Sequence, residues 1–318
     1  MDTRPNGWTR DTLVAAILHF LSGHDPLTVN DFRAALEHEI DAAGEDAVAT
    51  LQERLTVDTT WEYYPSDPLA QRIHHLLAER FLTADSRLLG AAHLDDAIGR
   101  PVAMIANHLS YADANVIEIL LQRAGHAATA NRLTAIAGPK VFTSRERRFS
   151  SLCFGTIKVP QSAEVSSDEA VLNPREVARA ARHAIKVAGE RLCAGDALIL
   201  FGEGTRSRGG GMQPMLAGVA RYLDVPGTWV LPAGLAGSEA LFPVGEATLR
   251  PAAVTMQLGA PIPAEALLDH AGGDRRVVMD AVGLAVAEVV PAEYRGVYAD
   301  AGRFDEAREV LRLARSVR

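Results

Sequence analysis

Nowhere in these 318 residues do apolar side chains run on for the roughly 18 positions that a membrane-crossing helix needs. The opening MDTRPNGWTRD also lacks the basic-then-apolar layout of a signal peptide, so the expected location is the cytoplasm, with any membrane contact peripheral. There are only two cysteines, Cys153 and Cys193, in unlike contexts and at no metal-ligand spacing, which excludes a disulfide framework. Both are expected to be reduced thiols packed in the core. His74 and His75 are adjacent, a spacing expected to point them to different helix faces and so to argue against a metal pair. A G-x-S-x-G nucleophile elbow is missing, as are internal repeats and low-complexity stretches. A surplus of positive charge is missing too: the net charge of −8 argues against a nucleic-acid partner. No metal or redox cofactor is implied.

What is present suffices for a large core: 48% of residues are hydrophobic, enough for one large domain and a small one. Residues 1–92 read as a helical unit. Leu13, Val14, Ile17, Leu18 and Leu21 form one apolar face, ended by Gly23 and Pro26. Thr28 with Asp31 approximates a capping box ahead of Phe32, Leu36 and Ile40. Val48, Leu51 and Leu55 continue the pattern, and Asp67-Pro68 supplies a cap and a first-turn proline for a fourth helix through Ile73 and Leu77. From residue 93 to 318 short apolar runs alternate with helical patterns, which predicts an α/β domain with a mixed, mainly parallel sheet flanked by helices. The expected strands are 102–106, 133–137, 155–160, 197–201, 228–233 and 251–258. The expected helices include one capped by Asn173-Pro174 and two closing helices, 273–290 and 304–316.

Two strand ends carry chemistry. Val102–Ala106 hands the chain to Asn107, His108, Ser110 and Asp113, and then to a helix with Val116, Ile117, Leu120 and Leu121 on one face. A carboxylate five residues after a histidine, in a tight loop, holds one imidazole nitrogen and leaves the other to take a proton. The plainer reading of Asp113 is a cap on the following helix. Ala197–Phe201 opens into Gly202-Glu203-Gly204-Thr205-Arg206-Ser207-Arg208. Glycines that admit backbone N–H groups, followed by two arginines, suit a phosphate-bearing ligand.

Together, N-H-x-S-x-x-D and F-x-E-G-T-R-S resemble the motifs of the glycerolipid acyltransferase superfamily, which includes glycerol-3-phosphate and 1-acylglycerol-3-phosphate acyltransferases. The resemblance spans about 93 to 265, with Gly155–Pro160 as an interval block and Pro232 in the place of the fourth block. It implies that a fatty acyl group passes from a thioester, acyl-CoA or acyl carrier protein as co-substrate, to the sn-1 hydroxyl of glycerol-3-phosphate. The alternative acceptor is lysophosphatidate, at sn-2. NHLSYAD, DVPG and the unanchored helical N-terminus are similar to the soluble plastid stromal-type enzymes, whereas EGTRS is commoner in lysophosphatidate enzymes. The resemblance also implies that Arg206 and Arg208 hold the acceptor phosphate and that Glu203 orients a glycerol hydroxyl, within a binding loop of Gly204, Thr205 and Ser207. A pairing of Glu203 with Arg206 is the structural alternative. The family's second block usually ends in an arginine, but Gln161 stands near that place, leaving Lys158 and Lys140 as cationic substitutes.

In this reading His108 is the general base, Asp113 fixes its tautomer, and no acyl-enzyme forms. Backbone N–H groups near Asn107 or the helix start at Asp113 are candidate oxyanion donors. Arg145, Arg147 and Arg148, among Phe142, Phe149, Leu152 and Phe154, are expected to face outward on a surface helix; with Lys140 they form the candidate docking face for an acidic carrier protein. Gly209-Gly210-Gly211 marks a mobile or closely approached backbone, in the first case a loop that closes over substrate. Two rivals differ in class: a thioesterase, in which the His/Asp pair activates water, and a non-catalytic acyl-carrier binding protein.

Overall fold

The short apolar runs are strands, and their register decides which loops meet. The computed structural model describes residues 9–56, 60–97, 99–142, 145–160, 173–243, 245–246 and 248–317. Its nine described strands are β1 (Tyr63–Tyr64), β2 (Arg87–Leu89), β3 (Val102–Ala106), β4 (Leu133–Ala137), β5 (Gly155–Lys158), β6 (Ala197–Phe201), β7 (Trp229–Ala236), β8 (Thr255–Leu258) and β9 (Ile262–Pro263). They form one sheet in the order β1-β5-β4-β6-β3-β7-β8-β2, with β9 added to β7. The inner strands β5, β4, β6, β3 and β7 run parallel, while β1, β8 and β9 join antiparallel. This is the mixed, mainly parallel sheet flanked by helices that the alternating pattern predicts.

Four helices precede the central strands: α1 (Arg10–Leu18), α2 (Pro26–Ala43), α3 (Glu45–Thr56) and α4 (Pro68–Phe81). Their stripes, Leu13, Ile17, Leu36, Leu51, Leu69 and Ile73, are buried in a cluster that continues through β3, β7 and β8. The stripes therefore bury against one another and against one face of the sheet. The second helix is capped by Asp25, with Pro26 at its first position, rather than by Thr28; the Asp25 carboxylate accepts the Thr28 N–H and hydroxyl. Asp67 caps α4 as its sequence implies. The edge strands β1 and β2 come from within the first 92 residues, too short for any periodicity to announce.

The remaining helices are α5 (Ala92–Asp95), α6 (Asp113–Arg123), α7 (Ala127–Ala130), α8 (Arg145–Ser151), α9 (Pro174–Cys193), α10 (Ser238–Leu241), α11 (Ala264–His270), α12 (Arg275–Ala287) and α13 (Asp305–Ala314). Asn173 caps α9 with a full capping box closed by Glu176. Helix α12 packs on the other sheet face with α13 in a second apolar cluster. Cys153 is buried, as expected, but Cys193 is exposed at the end of α9 and contributes nothing to the core. Among the described residues no helix is long and apolar enough to cross a membrane.

Helix α6 departs most from its sequence pattern. Every residue from Asp113 to Leu121 is buried, not one face only, because α4, α7 and β2 pack around α6. Its polar side chains must then find partners inside the protein. Asn115 is bonded by the Ser150 hydroxyl, and Glu118 accepts from both His74 Nε2 (3.1 Å) and His75 Nε2 (3.2 Å). The adjacent histidines therefore converge on one carboxylate rather than diverge. Turning two rings of α4 toward one buried acid is how the helix pair satisfies that acid.

Candidate active site

Register brings the two motifs together. Ala106 of β3 sits opposite Phe201 of β6, so the loops that follow, Asn107–Ala112 and Gly202–Gly211, leave the same edge of the sheet side by side. Ala233 of β7 flanks Ala106 on the other side. Asn107 locks that neighbour: its Nδ2 donates to Leu235 O (3.0 Å) and its Oδ1 accepts from Leu235 N–H (2.8 Å).

The His108–Asp113 pair forms as its spacing implies. His108 Nδ1 donates to Asp113 Oδ2 at 2.8 Å. The same oxygen accepts the N–H groups of Leu109 (2.7 Å) and Ser110 (2.9 Å), and Oδ1 accepts the Ser238 hydroxyl (2.6 Å). Four donors meet on this fully buried carboxylate, and the bond from the ring places the proton of His108 on Nδ1. The ring stacks on Phe201, with centroids 4.2 Å apart and planes 17° apart. Its position and tautomer are thus set from two directions, and Nε2 is the nitrogen left for chemistry. Asp113 is the first residue of α6, but its carboxylate does not cap that helix: the cap position is Ala112, which has no side-chain cap bond, so of the two readings the orienting one is realised.

Glu203 is buried, and its carboxylate accepts His108 N–H (2.9 Å) on one oxygen and Gln213 N–H (2.7 Å) on the other. Burial pushes its pKa up to about 7, against the lowering pull of these two amides. It therefore clamps the two motif loops to each other. Among the described residues no ion pair joins it to Arg206, so the pairing alternative is not realised. Ser207 is also a brace, donating its N–H to His108 O (2.8 Å) and its hydroxyl to Gly211 O (2.8 Å). The backbone at Gly204 has φ +68°, and a side chain there would collide with Leu216. Thr205 is exposed beside it. Of the glycine run, Gly211 is the closely approached one: a Cβ would lie 3.0 Å from Gly296 Cα, where Met212 exchanges backbone bonds with Tyr294 and Val297.

Five of the backbone amides from His108 to Asp113 are already committed within the protein. The N–H of His108 goes to Glu203, those of Leu109 and Ser110 to Asp113, that of Ala112 to Ser110 Oγ, and that of Asp113 to Ser110 O. These amides shape the loop and are not aimed at substrate.

Two cavities meet here. The first, about 620 Å³, is enclosed by the N-terminal helices and α6, with Phe20, Leu77, Phe81, Val116, Phe149 and Phe242 among its walls. The second, about 460 Å³, lies over the ends of β4 and β6 and contains His108, Lys140, Thr205 and Leu216. Tyr111, Val141, Ser150, Arg206 and Arg208 line both, so the arginines stand on the partition. Lys158 lines neither; its ammonium lies 4.7 Å from the Trp61 ring centroid and 5.2 Å from that of Phe142. Gln161 lies outside the described residues.

Arg147 and Arg148 of α8 are not turned outward as a surface helix would have them. Arg147 sits over the Tyr111 ring (4.5 Å) and donates to Lys140 O, and Arg148 donates to Leu55 O (2.9 Å). Arg145's side chain lies outside the described ones. Sequence reasoning missed Tyr111, Phe201 and Ser238 as site residues and misplaced Arg147. Tyr111 was legible inside the first motif; Ser238 is brought back over 125 positions by β7, and no local pattern marks it.

No curated protein matches the sequence. Among solved structures, the chain is similar to the crystal structure of the 1-acyl-sn-glycerophosphate (LPA) acyltransferase PlsC from Thermotoga maritima. That likeness has 20% identity and a TM-score of 0.43 and covers 88% of this chain and 95% of the other. Residues 89–236 match the family model described as Acyltransferase, a segment that contains both motifs with His108, Asp113 and Glu203, while Ser238 lies just beyond it. The match falls on the same segment whose two motifs resemble the glycerolipid acyltransferase superfamily.

Proposed function

We propose that the protein transfers a fatty acyl group from a thioester to the free hydroxyl of a phosphorylated glycerol, with His108 as general base. The observation that carries this reading is the imidazole held by Asp113 at 2.8 Å in a cavity whose partition bears Arg206 and Arg208. An alcohol is a poor nucleophile at neutral pH, so His108 Nε2 removes its proton as the oxygen attacks the thioester carbonyl. The imidazolium that forms faces the buried Asp113 carboxylate. The thiolate of the donor then leaves and takes up a proton, with no acyl-enzyme.

The first cavity suits a hydrocarbon chain, being apolar and within the size range of ligand sites. Two largely apolar compartments meeting at arginines favour an acceptor that brings its own chain, so 1-acylglycerol-3-phosphate is the preferred acceptor and sn-2 the preferred position. Glycerol-3-phosphate, acylated at sn-1, is the second reading; the NHLSYAD and DVPG wording favours it, and the second cavity then takes the pantetheine arm of the donor. A thioesterase has no phosphate to hold, which the two arginines on the partition count against.

The test is thiol release from palmitoyl-CoA and from palmitoyl-acyl carrier protein, with 1-acylglycerol-3-phosphate, glycerol-3-phosphate or no acceptor. Release that requires the acylated acceptor supports the preferred reading. A requirement for glycerol-3-phosphate moves the protein to the earlier step, and release without any acceptor overturns acyl transfer to glycerol.

A further inference from the structure

Helix α9 carries a stripe of one sign. Arg175, Arg179, Arg182 and Lys186 stand four, three and four residues apart, so they share one exposed face of the helix, while Ala180, Ala184, Val187 and Leu192 turn into the core. The stability of the helix does not account for this arrangement. Like charges at these spacings repel, and Arg175 lies in the first turn, at the end of the helix where its dipole disfavours a cation. The two acids of α9 are both engaged: Glu176 closes the capping box, and Glu190 meets Lys186 at 3.5 Å. Among the described residues no carboxylate forms an ion pair with Arg175, Arg179 or Arg182. On α2 and α13, by contrast, exposed arginines are paired, Arg33 with Glu37, Arg308 with Asp305 and Arg312 with Glu309.

The adjoining flank of α9 belongs to the site. Ala181 and Ile185 are in the wall of the second cavity, which contains His108. The 3-10 turn Ala217–Leu223 packs against α9 and adds Arg221 to the same wall, where it is exposed. The acid nearest to it in sequence, Asp224, is taken by Arg275 at 2.9 Å.

We propose that the α9 stripe, with Arg221, is the docking surface for an acyl carrier protein, an acidic partner that presents its acyl thioester to His108 through the second cavity. This rests on the donor being a thioester. A chain of net charge −8 repels an acidic protein at long range, so a productive encounter needs a local cationic face, and a face beside the cavity also sets the orientation. The stripe extends over about 16 Å of helix, which suits an acidic helix laid alongside it; the phosphates of one nucleotide need only one or two arginines. The cations of α8 do not compete for this role, since Arg147 and Arg148 turn into the protein.

The experiment uses the full chain in two triple variants, one with Arg175→Ala, Arg179→Ala and Arg182→Ala, the other with Arg175→Glu, Arg179→Glu and Arg182→Glu. Binding of unacylated acyl carrier protein is titrated at low and high salt, and the donor KM is measured with palmitoyl-acyl carrier protein and with palmitoyl-CoA. The alanine variant is expected to raise both the Kd and the KM for the carrier protein about 10–100-fold and to flatten their salt dependence; the glutamate variant loses more. The KM for palmitoyl-CoA stays within about threefold, and the melting temperature does not fall, because only repelling contacts are removed. A KM that rises equally for both donors, or for palmitoyl-CoA alone, assigns the stripe to nucleotide phosphates or to support of the cavity and overturns the proposal. So does a wild-type protein that binds no carrier protein at low salt, even where palmitoyl-CoA serves as donor. Unchanged carrier-protein affinity in both variants overturns it as well. Stripe-dependent binding without turnover of either thioester leaves the docking surface in place and removes the acyl-transfer reading instead.

Discussion

Helix α6 holds two buried carboxylates, five residues apart, each gripping histidine, and they do different work. Asp113 takes one imidazole, two backbone amides and a hydroxyl, and its histidine opens onto a cavity. Glu118 takes two imidazoles and the Gln122 amide, and joins α6 to α4. A carboxylate–histidine contact by itself therefore does not identify a base. What separates the two is which ring nitrogen is tied and where the ring stands: His108 is bound through Nδ1, stacked on Phe201 in the cavity that the second motif lines, whereas His74 and His75 are bound through Nε2, and His74 reaches only the first cavity.

The sharpest way to break the comparison is His108→Ala. It is expected to lower kcat by about 10²–10⁴-fold, the usual weight of a positioned base, with little change in melting temperature. Asp113→Asn follows. The substitution removes the carboxylate charge and replaces one accepting oxygen by an NH2 that only donates, so kcat is expected to fall about 10²-fold or more and stability to fall as well. Glu118→Ala should invert the pattern: breaking a buried charged cluster costs on the order of 3–5 kcal/mol. Chemical denaturation would report that loss while kcat of the folded fraction stays near wild type. A large loss of kcat there would erase the distinction drawn between the two acids.

Acid and alkali sharpen it further. The two histidines hold the Glu118 pKa down to about 2, although burial, the largest single influence, acts to raise it. A depressed carboxylate contributes stability above its unfolded pKa that is lost as pH falls through the folded one, here between about 4.5 and about 2. The His75 pKa is raised, chiefly by its bond to Glu118, so its share is complete below the unfolded value near 6.5 and is lost as pH climbs above it. Glu203, raised to about 7, gives up its share between about pH 4.5 and 7. Denaturation midpoints against pH would show the acid-side loss disappear in Glu118→Gln and the neutral-range loss disappear in Glu203→Gln. The smallest effect is expected from Ser238→Ala. It removes one of four donors from Asp113 and should cost about 1 kcal/mol and a severalfold drop in kcat, because His108 keeps its partner.

Much of this was readable beforehand. The strands 102–106, 133–137 and 197–201 and the caps at Asp67 and Asn173 follow from apolar run length and cap chemistry, which are local. So is the His108–Asp113 bond, since five residues of loop suffice to make it. What escaped was set by register and burial. Nothing local to Glu118 shows that α6 is covered all round, so the convergence of His74 and His75 on it could not be read from their spacing. Likewise α8 reads as a basic surface helix until Tyr111 is placed beside Arg147. Glu203 was legible as a site residue but not as a clamp on backbone amides, because the amides it accepts belong to a different strand end and to a residue ten positions on.

The backbone contact between Gly211 and Gly296 bears on how this protein can be divided for expression. The matched family segment ends at residue 236, yet the loop that carries Arg206 and Arg208 is held at its far end by Tyr294, Gly296 and Val297. The Met215 N–H is received by Tyr298 as well (2.9 Å). A fragment cut at the family boundaries would keep both motifs and lose the brace under the second, together with most of one cavity's helical wall. Truncation from either end therefore uncovers apolar core surface as well as removing the brace, and a fusion tag belongs beyond α13, not in place of it.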